Sequence, residues 1–234
     1  MDDGFLKKRV PNPNNEVTKR VNSSKNAKFE VTDITHEKYP FLHRIRALRD
    51  FGDVKTGDLG GFVEGEYNLS FEPDDTAWIY DDAIAAGSSV IDQGAQLRDR
   101  AIISDTAYVS QGSVLSGNAR AEDQVYIRSA DMKENARASG DAMIINSSET
   151  HMRPELAGNC VIYGKVTGGV SIRGKVVVFY PEEVVNASLD RFIVSDEGRT
   201  VVRDPSRDEL SPHPPKKEAP QPVKPRTKQR GRSR

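Results

Sequence analysis

Nine consecutive six-residue units between Ala77 and Ile127 constrain the fold more than any other feature of this sequence. Each unit has a small residue, a spacer, an aliphatic residue and a second spacer, followed by two turn-forming residues. Side chains two positions apart in a strand point the same way, so the small and aliphatic residues face inward together. A short fixed period of this kind predicts a solenoid. The inward pairs are Ala77/Ile79, Ala83/Ala85, Ser89/Ile91, Ala95/Leu97, Ala101/Ile103, Ala107/Val109, Ser113/Leu115, Ala119/Ala121 and Val125/Ile127.

The last two positions of each unit are rich in Asp, Gly, Asn and Gln, such as Asp81-Asp82 and Gly117-Asn118. Several of these residue types favour the backbone conformations that tight turns require. Three units with three such corners close one coil of eighteen residues. Coils then stack at the ordinary strand spacing of about 4.8 Å. The sequence therefore predicts an all-β fold, a hexapeptide-repeat parallel β-helix.

The repeat changes register after Ile127. The next pairs, Ala130/Met132, Ala136/Ala138 and Ala142/Ile144, each come one residue early. Residues 146–155 fit no unit, and we interpret them as a loop, because insertions into solenoids lie at corners. The repeat is expected to resume with Cys160/Ile162, Val166/Gly168, Val170/Ile172 and Val176/Val178.

The whole sequence divides into five predicted segments. Residues 1–27 are polar and predicted to be disordered. Residues 28–70 predict an N-terminal β cap, in which four glycines between Gly52 and Gly61 indicate tight turns. The β-helix follows over 71–179, and 180–204 predict a C-terminal cap with a hairpin. The Pro, Lys and Arg content of 205–234 predicts a disordered tail.

The composition favours a reducing compartment. Cys160 is the single cysteine, so no internal disulfide is possible. No apolar run approaches the roughly 18 residues that span a membrane, and the first residues lack the apolar segment of a signal peptide. We expect a cytoplasmic protein with no membrane partner.

The block of residues 44–64 (RIRALRDFGDVKTGDLGGFVE), with 68–70 and 78–83 after it, resembles the YdcK-type proteins of bacteria, phages and mobile elements. The hexads resemble the left-handed β-helix of the hexapeptide-repeat superfamily, which contains many acyltransferases. The resemblance covers about residues 28–180 and implies a left-handed coil. YdcK-type proteins have no assigned reaction, so the resemblance implies an architecture rather than a chemistry.

Hexapeptide acyltransferases use a histidine as general base and an acyl-CoA donor, and His151 is the candidate here. It lies on the predicted loop, with Glu149 and Glu155 near enough in sequence to orient it. His36 and His43 lie in the cap, and His213 lies in the tail. An exposed loop histidine without a catalytic role is the alternative. We expect no other cofactor.

Neither a metal site nor a reactive thiol is predicted. Aspartates such as Asp81, Asp99 and Asp123 occupy corners, where turn chemistry explains them without a metal ion. Cys160 occupies an inward small position, which predicts a buried and inert thiol.

The outward positions align in columns, because residues eighteen apart stack on one face. One column holds Val90, Tyr108 and Tyr126, and a second holds Ile84 and Ile102 before Arg120. Aligned outward apolar residues can mark an interface, so these five apolar residues are the predicted contacts of a homo-oligomer, with a trimer favoured. A third face begins with Trp78 and Tyr80.

The charge distribution is uneven. Residues 212–234 carry +7, whereas the whole chain carries −1, which leaves −8 for the rest. Basic tails attract nucleic acid or an acidic protein surface. The predicted polyanion-binding residues are Lys216, Lys217, Lys224, Arg226, Lys228, Arg230, Arg232 and Arg234.

Three functions remain open from the sequence. The first is a non-catalytic β-solenoid scaffold that associates with itself. The second is an acyl-CoA-dependent acyltransferase with His151 as base. The third is a nucleic-acid-associated accessory protein of a mobile element, acting through the tail.

Overall fold

The computed structural model of the chain describes residues 26–203. The regular structure in this range is β-strand, apart from a 3₁₀ turn at Glu66–Asn68. The expectations for the tail, and for all but the last residues of the 1–27 segment, lie outside the described residues. The strands are β1 (Phe29–Thr35), β2 (His43–Ala47), β3 (Leu59–Val63), β4 (Trp78–Ile79), β5 (Ile84–Ala85), β6 (Val90–Ile91), β7 (Gln96–Leu97), β8 (Ile102–Ile103), β9 (Tyr108–Ser110), β10 (Val114–Leu115), β11 (Arg120–Ala121), β12 (Tyr126–Arg128), β13 (Asp131–Met132), β14 (Arg137–Ala138), β15 (Met143–Ile145), β16 (Glu155–Leu156), β17 (Val161–Ile162), β18 (Lys165–Gly168), β19 (Val170–Ile172), β20 (Val177–Val178), β21 (Glu183–Asn186), β22 (Arg191–Ser195) and β23 (Gly198–Val202).

The strands form three sheets. The cap face has nine strands in the order β1-β2-β3-β5-β8-β11-β14-β17-β20. The tyrosine face has six, in the order β6-β9-β12-β15-β18-β21, and the hairpin face has eight, running from β4 through β7, β10, β13, β16, β19 and β22 to β23. From β4 to β22, each strand returns to the same face every third strand and pairs in parallel with the coil before it. The predicted all-β parallel solenoid is confirmed.

The interior consists of the predicted inward side chains. Ile91, Ile103 and Leu115 are fully buried, as are the small residues that precede them. Two of these small positions hold serines, and their hydroxyls donate to carbonyls three residues earlier: Ser89 to Ala86 at 2.8 Å and Ser113 to Ser110 at 2.7 Å. Each buried hydroxyl thus has a local partner, so serine fits this dry interior.

The strand pairing reproduces the predicted change of register. Ile84 pairs with Ile102, eighteen residues on, whereas Val114 pairs with Asp131, seventeen residues on. The parallel sheets continue across this change because the missing residue falls at a corner. The coil therefore tolerates a shorter connection without losing strand pairing.

The predicted loop ends earlier than the sequence suggests. Glu155–Leu156 forms β16 on the hairpin face, and Leu156 is 1% exposed, so this unit belongs to the coil. Pro154 stands in its small position and hides the unit from the pattern. The corner between Ile162 and Val166 is also short, since Val166 pairs with Ile144 and takes the aliphatic position. The expected Val166/Gly168 pair is therefore wrong by two residues.

The N-terminal strands extend the cap face. β1 and β2 are antiparallel, as are β2 and β3, and β3 then pairs in parallel with β5. Gly52 and Gly57 have positive φ, as the turn prediction requires. Gly60 and Gly61 instead lie inside β3, where a Cβ on Gly61 would come within 2.4 Å of the Ala83 carbonyl oxygen. Close packing of the cap on the coil thus explains the Gly60-Gly61 pair.

Trp78 is covered by the cap, although the sequence places it on an outward face. It is 2% exposed and makes edge-to-face contacts with Phe29 and Phe51, at centroid distances of 6.2 and 5.3 Å. The first residue of the third outward face is therefore part of the core between cap and coil. At the other end, β22 and β23 form an antiparallel hairpin.

Acidic side chains at the corners connect successive coils. Asp99, at φ 58°, accepts a hydrogen bond from the Gly117 backbone N–H at 2.7 Å. Asp81 and Asp123 make the same kind of bond to the next coil. These bonds satisfy corner N–H groups that no strand partner reaches, which supports the turn interpretation of the aspartates.

We expect Asp99→Ala to lower the free energy of unfolding by about 1–2 kcal/mol. The substitution leaves the Gly117 N–H without its acceptor and places a Cβ-bearing residue without a side-chain acceptor in the left-handed region. Asp99→Asn retains an acceptor and tolerates that conformation, so it should cost less. Urea unfolding of the three proteins measures the difference, and equal stability of Asp99→Ala and wild type would contradict this role.

Candidate functional site

A cleft of about 710 Å³ lies between the cap and the cap face of the coil. We call it the cap cleft. One wall is the connection from β1 to β2, including His36 and Lys38, and the other crosses three successive coils at Ile84, Ile102 and Arg120. The volume lies within the range of about 300–1,000 Å³ that is common for small-molecule sites.

The floor of the cleft is apolar. Ile84 is 4% exposed and packs with Leu42, Phe62 and Tyr39, while Ile102 is partly buried against the same cluster. Two of the predicted interface residues are therefore covered, wholly or in part, by the chain's own cap. The repeat could not reveal this contact, because it says which residues point outward but not what lies over them.

Arg44 fixes one side of the cleft. Its guanidinium donates to the carbonyls of Gly60 and Asp81 at 2.9 Å each, and to the Asp82 carboxylate at 2.8 Å. It also stacks 4.2 Å from the centroid of Phe62. These contacts tie β2, β3 and the first coil together. Arg44 is thus a positioning residue whose donors are already engaged.

His36 lines the cleft as a neutral hydrogen-bond donor. Its Nδ1 accepts the backbone N–H groups of Lys38 and Tyr39, at 3.1 and 3.3 Å. Because those groups only donate, the proton of the neutral ring must be on Nε2. Burial, chiefly against Tyr39 and Phe62, lowers the pKa of His36 below its usual 6.5. The ring therefore supplies an N–H to the cleft and has no free basic nitrogen for proton abstraction.

The cleft has an excess of positive charge. Four basic residues line it, against the two acids Glu37 and Asp82. Asp82 is paired with Arg44. The guanidinium of Arg100 is exposed and has no hydrogen-bond or ion-pair partner among residues 26–203. The other basic residues that line the cleft are Lys38, Arg44 and Arg120.

His151 lies away from the cap cleft, on the loop between β15 and β16. It is exposed, with φ 57°, and its backbone N–H bonds to Ser147. Within the described range its ring has no hydrogen bond to Glu149 or Glu155, and Glu155 instead pairs with Arg191 at 3.3 Å. The structure therefore does not bring the proposed base and its orienting carboxylate together.

The remaining predicted interface residues lie on the tyrosine face. Val90, Tyr108 and Tyr126 stand in register on successive coils. The two tyrosine rings stack at 5.6 Å, and the Tyr108 hydroxyl donates to Asp92 at 2.5 Å. All three side chains are half-buried. Much of this column is thus stabilised within the chain.

A second cavity near the cap is acidic, lined by Glu72, Asp74, Asp75 and Asp92. Asp75 accepts backbone N–H bonds from Ala77 and from two residues of the next coil, so it serves as a corner residue. No group of three or more metal-ligating side chains occurs among the described residues. Cys160 is buried, and burial raises the pKa of its thiol to about 11, in agreement with the predicted inert thiol.

Fold and site together define the class of the protein, a parallel β-solenoid with a folded N-terminal cap and a basic cleft beside that cap. Comparison with protein-family models and with curated proteins gives no match for this chain. No helix in residues 26–203 has the length and apolar character needed to cross a membrane. The eight basic tail residues lie outside the described range, so polyanion binding stays a prediction.

Proposed function

We propose that this protein is a non-catalytic β-solenoid scaffold that associates with a second copy of itself at the C-terminal end of the coil. The observation that carries this proposal is the difference between the two ends. The cap covers all three faces of the first coil: β3 pairs with β5, Leu69 forms a bridge with Ile91 of β6, and the cap buries Trp78 of β4. At the other end, β20 and β21 have no further strand beside them within residues 26–203.

The C-terminal end also exposes large apolar side chains. Phe179 is 64% exposed, Tyr180 is 73% exposed and Val185, on β21, is 51% exposed. Unpaired strand edges accept strands from other molecules, and exposed apolar residues beside them strengthen such contacts. The large side chains and the free edges thus occur together at one end of the coil.

A second copy is the partner that fits this end. When two copies meet end to end, their strands run in opposite directions, so the free edges can pair as antiparallel strands. The same surface is used twice, as in the two-fold dimers that dominate soluble oligomers. The burial of Ile84 and Trp78 by the cap favours this contact over a trimer packed through the flat faces.

Within residues 26–203 the His151 ring has no hydrogen bond to Glu149 or Glu155, and this supports a non-catalytic role over the acyltransferase alternative. Membership of the YdcK-type proteins, a left-handed coil and a cytoplasmic location belong to the same proposal. The first two are supported by the block of residues 44–64, which forms the cap strands β2 and β3 and supplies Arg44 and Phe62 to the cleft. The cytoplasmic location is supported by the single cysteine, Cys160, which is buried.

Light scattering of the full chain at tens of micromolar should give twice the monomer mass of 25.9 kDa. Phe179→Glu places a charge at the proposed contact and should give the monomer, with unchanged stability. Met143→Glu is the matched control, because Met143 is 39% exposed but lies on β15, two coils before the free edge of β21. A monomeric wild type, or dissociation by Met143→Glu alone, would reject the end-to-end contact.

A further inference from the structure

We propose that the cap cleft binds a small organic anion, with a carboxylate or phosphate group attached to an apolar body. The inference is independent of the proposed self-association, because the cleft lies at the opposite end of the coil. It depends on three features of the cleft: an unpaired cation, an apolar floor and a neutral donor.

Arg100 is the residue best placed to bind the anionic group. Arg44 has its donors engaged by two carbonyls and by Asp82, so it shapes the cleft and does not compete for a ligand. The exposed guanidinium of Arg100 offers a planar fork of N–H groups that matches a carboxylate or phosphate. Arg120 lies one coil further along the same wall and adds a second positive charge.

The apolar floor selects for an apolar or aromatic ligand body. The accessible apolar surface of the cleft comes from Ile102, which is partly buried, and from Ile34, which is 44% exposed, while Ile84 and Phe62 lie buried behind them. An inorganic anion alone would leave Ile34 and Ile102 in water. A ligand that covers the floor while its anion reaches Arg100 would use both parts of the cleft.

His36 stands opposite these cations on the cap wall. Its Nδ1 is occupied by two backbone N–H groups, which leaves the Nε2 proton as a donor for a ligand oxygen. The same wall carries Glu37, and the opposite wall carries Asp82, which is paired with Arg44. The cleft thus keeps a net positive charge where the ligand's anionic group would lie.

Calorimetric titration of the full chain with phenyl phosphate tests the proposal. We expect saturable binding, with inorganic phosphate and phenol each at least tenfold weaker, because each lacks one half of the recognised structure. Benzoate is titrated in the same way. If benzoate binds more tightly, the preferred anionic group is a carboxylate, and if phenyl phosphate binds more tightly, it is a phosphate.

Arg100→Gln should weaken phenyl phosphate binding at least tenfold without changing the circular dichroism spectrum. Arg137→Gln is the matched control, because Arg137 is exposed and pairs with Arg120 on the next coil but lies outside the cleft. Its affinity should equal that of the wild type. Binding that persists in Arg100→Gln assigns the anion to another site, such as the basic tail, and overturns the proposal. So does the absence of binding to both aromatic anions at millimolar concentration.

Discussion

Replacing Trp78 with alanine is expected to lower the free energy of unfolding by about 3–5 kcal/mol, the usual cost of removing a large buried aromatic side chain. Trp78 is 2% exposed and joins three parts of the molecule: β4 of the first coil, Phe29 of β1 and Phe51 before β3. The variant therefore loses the packing between cap and coil as well as the buried area. Urea unfolding monitored by circular dichroism gives the size of the loss.

Trp78→Phe is the matched control, since it retains an aromatic ring between Phe29 and Phe51 and should cost less than half as much. Loss of the cap in Trp78→Ala should also remove phenyl phosphate binding, because one wall of the cap cleft belongs to the cap. A change below about 1 kcal/mol would show that the cap is not held by this contact.

In the wild type, Lys28 should make the free energy of unfolding rise between pH 8 and pH 10.5. Replacing Lys28 with methionine should remove that rise. Lys28 is fully buried, with its Nζ 2.8 Å from the Ser70 carbonyl oxygen and 5.0 Å from the Phe51 ring centroid. Burial lowers its pKa from 10.5 to about 8, and the positive charge of Arg49 acts in the same direction, against the attraction of Asp75.

The sign follows from proton binding. Between the two pKa values the unfolded chain holds the Lys28 proton and the folded chain does not, so stability rises with pH across this window. The full difference is roughly 3 kcal/mol, since a tenfold change in proton affinity is worth about 1.4 kcal/mol. Burial raises the pKa of Cys160 to about 11 and that of Tyr67 to about 12, and these groups act in the opposite direction.

The measurement is therefore the difference in unfolding free energy between wild type and Lys28→Met at a series of pH values from 7.5 to 10. This difference should shift in favour of the wild type as the pH rises. Lys55→Met is the control, because Lys55 lies in the same cap but its side chain is 68% exposed. A constant difference for Lys28→Met would show that its ammonium group is not desolvated in the folded state.

The sequence predicts the interior of the coil well, because the inward positions follow from strand geometry alone. Ile91, Ile103 and Leu115 are buried as expected, and the change of register near Asp131 is reproduced. The unit containing Leu156 was not predicted, because proline replaces the usual small residue. A six-residue period also cannot anticipate the shortened corner before Val166.

The candidate site was not predicted for a different reason. Arg44 and Asp82 are 38 residues apart in sequence, and their contact depends on how the cap folds over the first coils. The outward column that ends in Arg120 was visible in the sequence, but the cap wall containing His36 was not. A periodic pattern reports the inside of a solenoid and says little about what covers its outside.

The seventeen-residue offset between Val114 and Asp131 indicates how the length of such a coil can change during evolution. A deletion at a corner, or an insertion such as the loop before β16, leaves all three faces paired. Duplication of a whole turn would likewise lengthen the rod while preserving both of its ends. The distance between the cap cleft and the C-terminal end is thus open to adjustment in steps of about 4.8 Å, one strand spacing at a time.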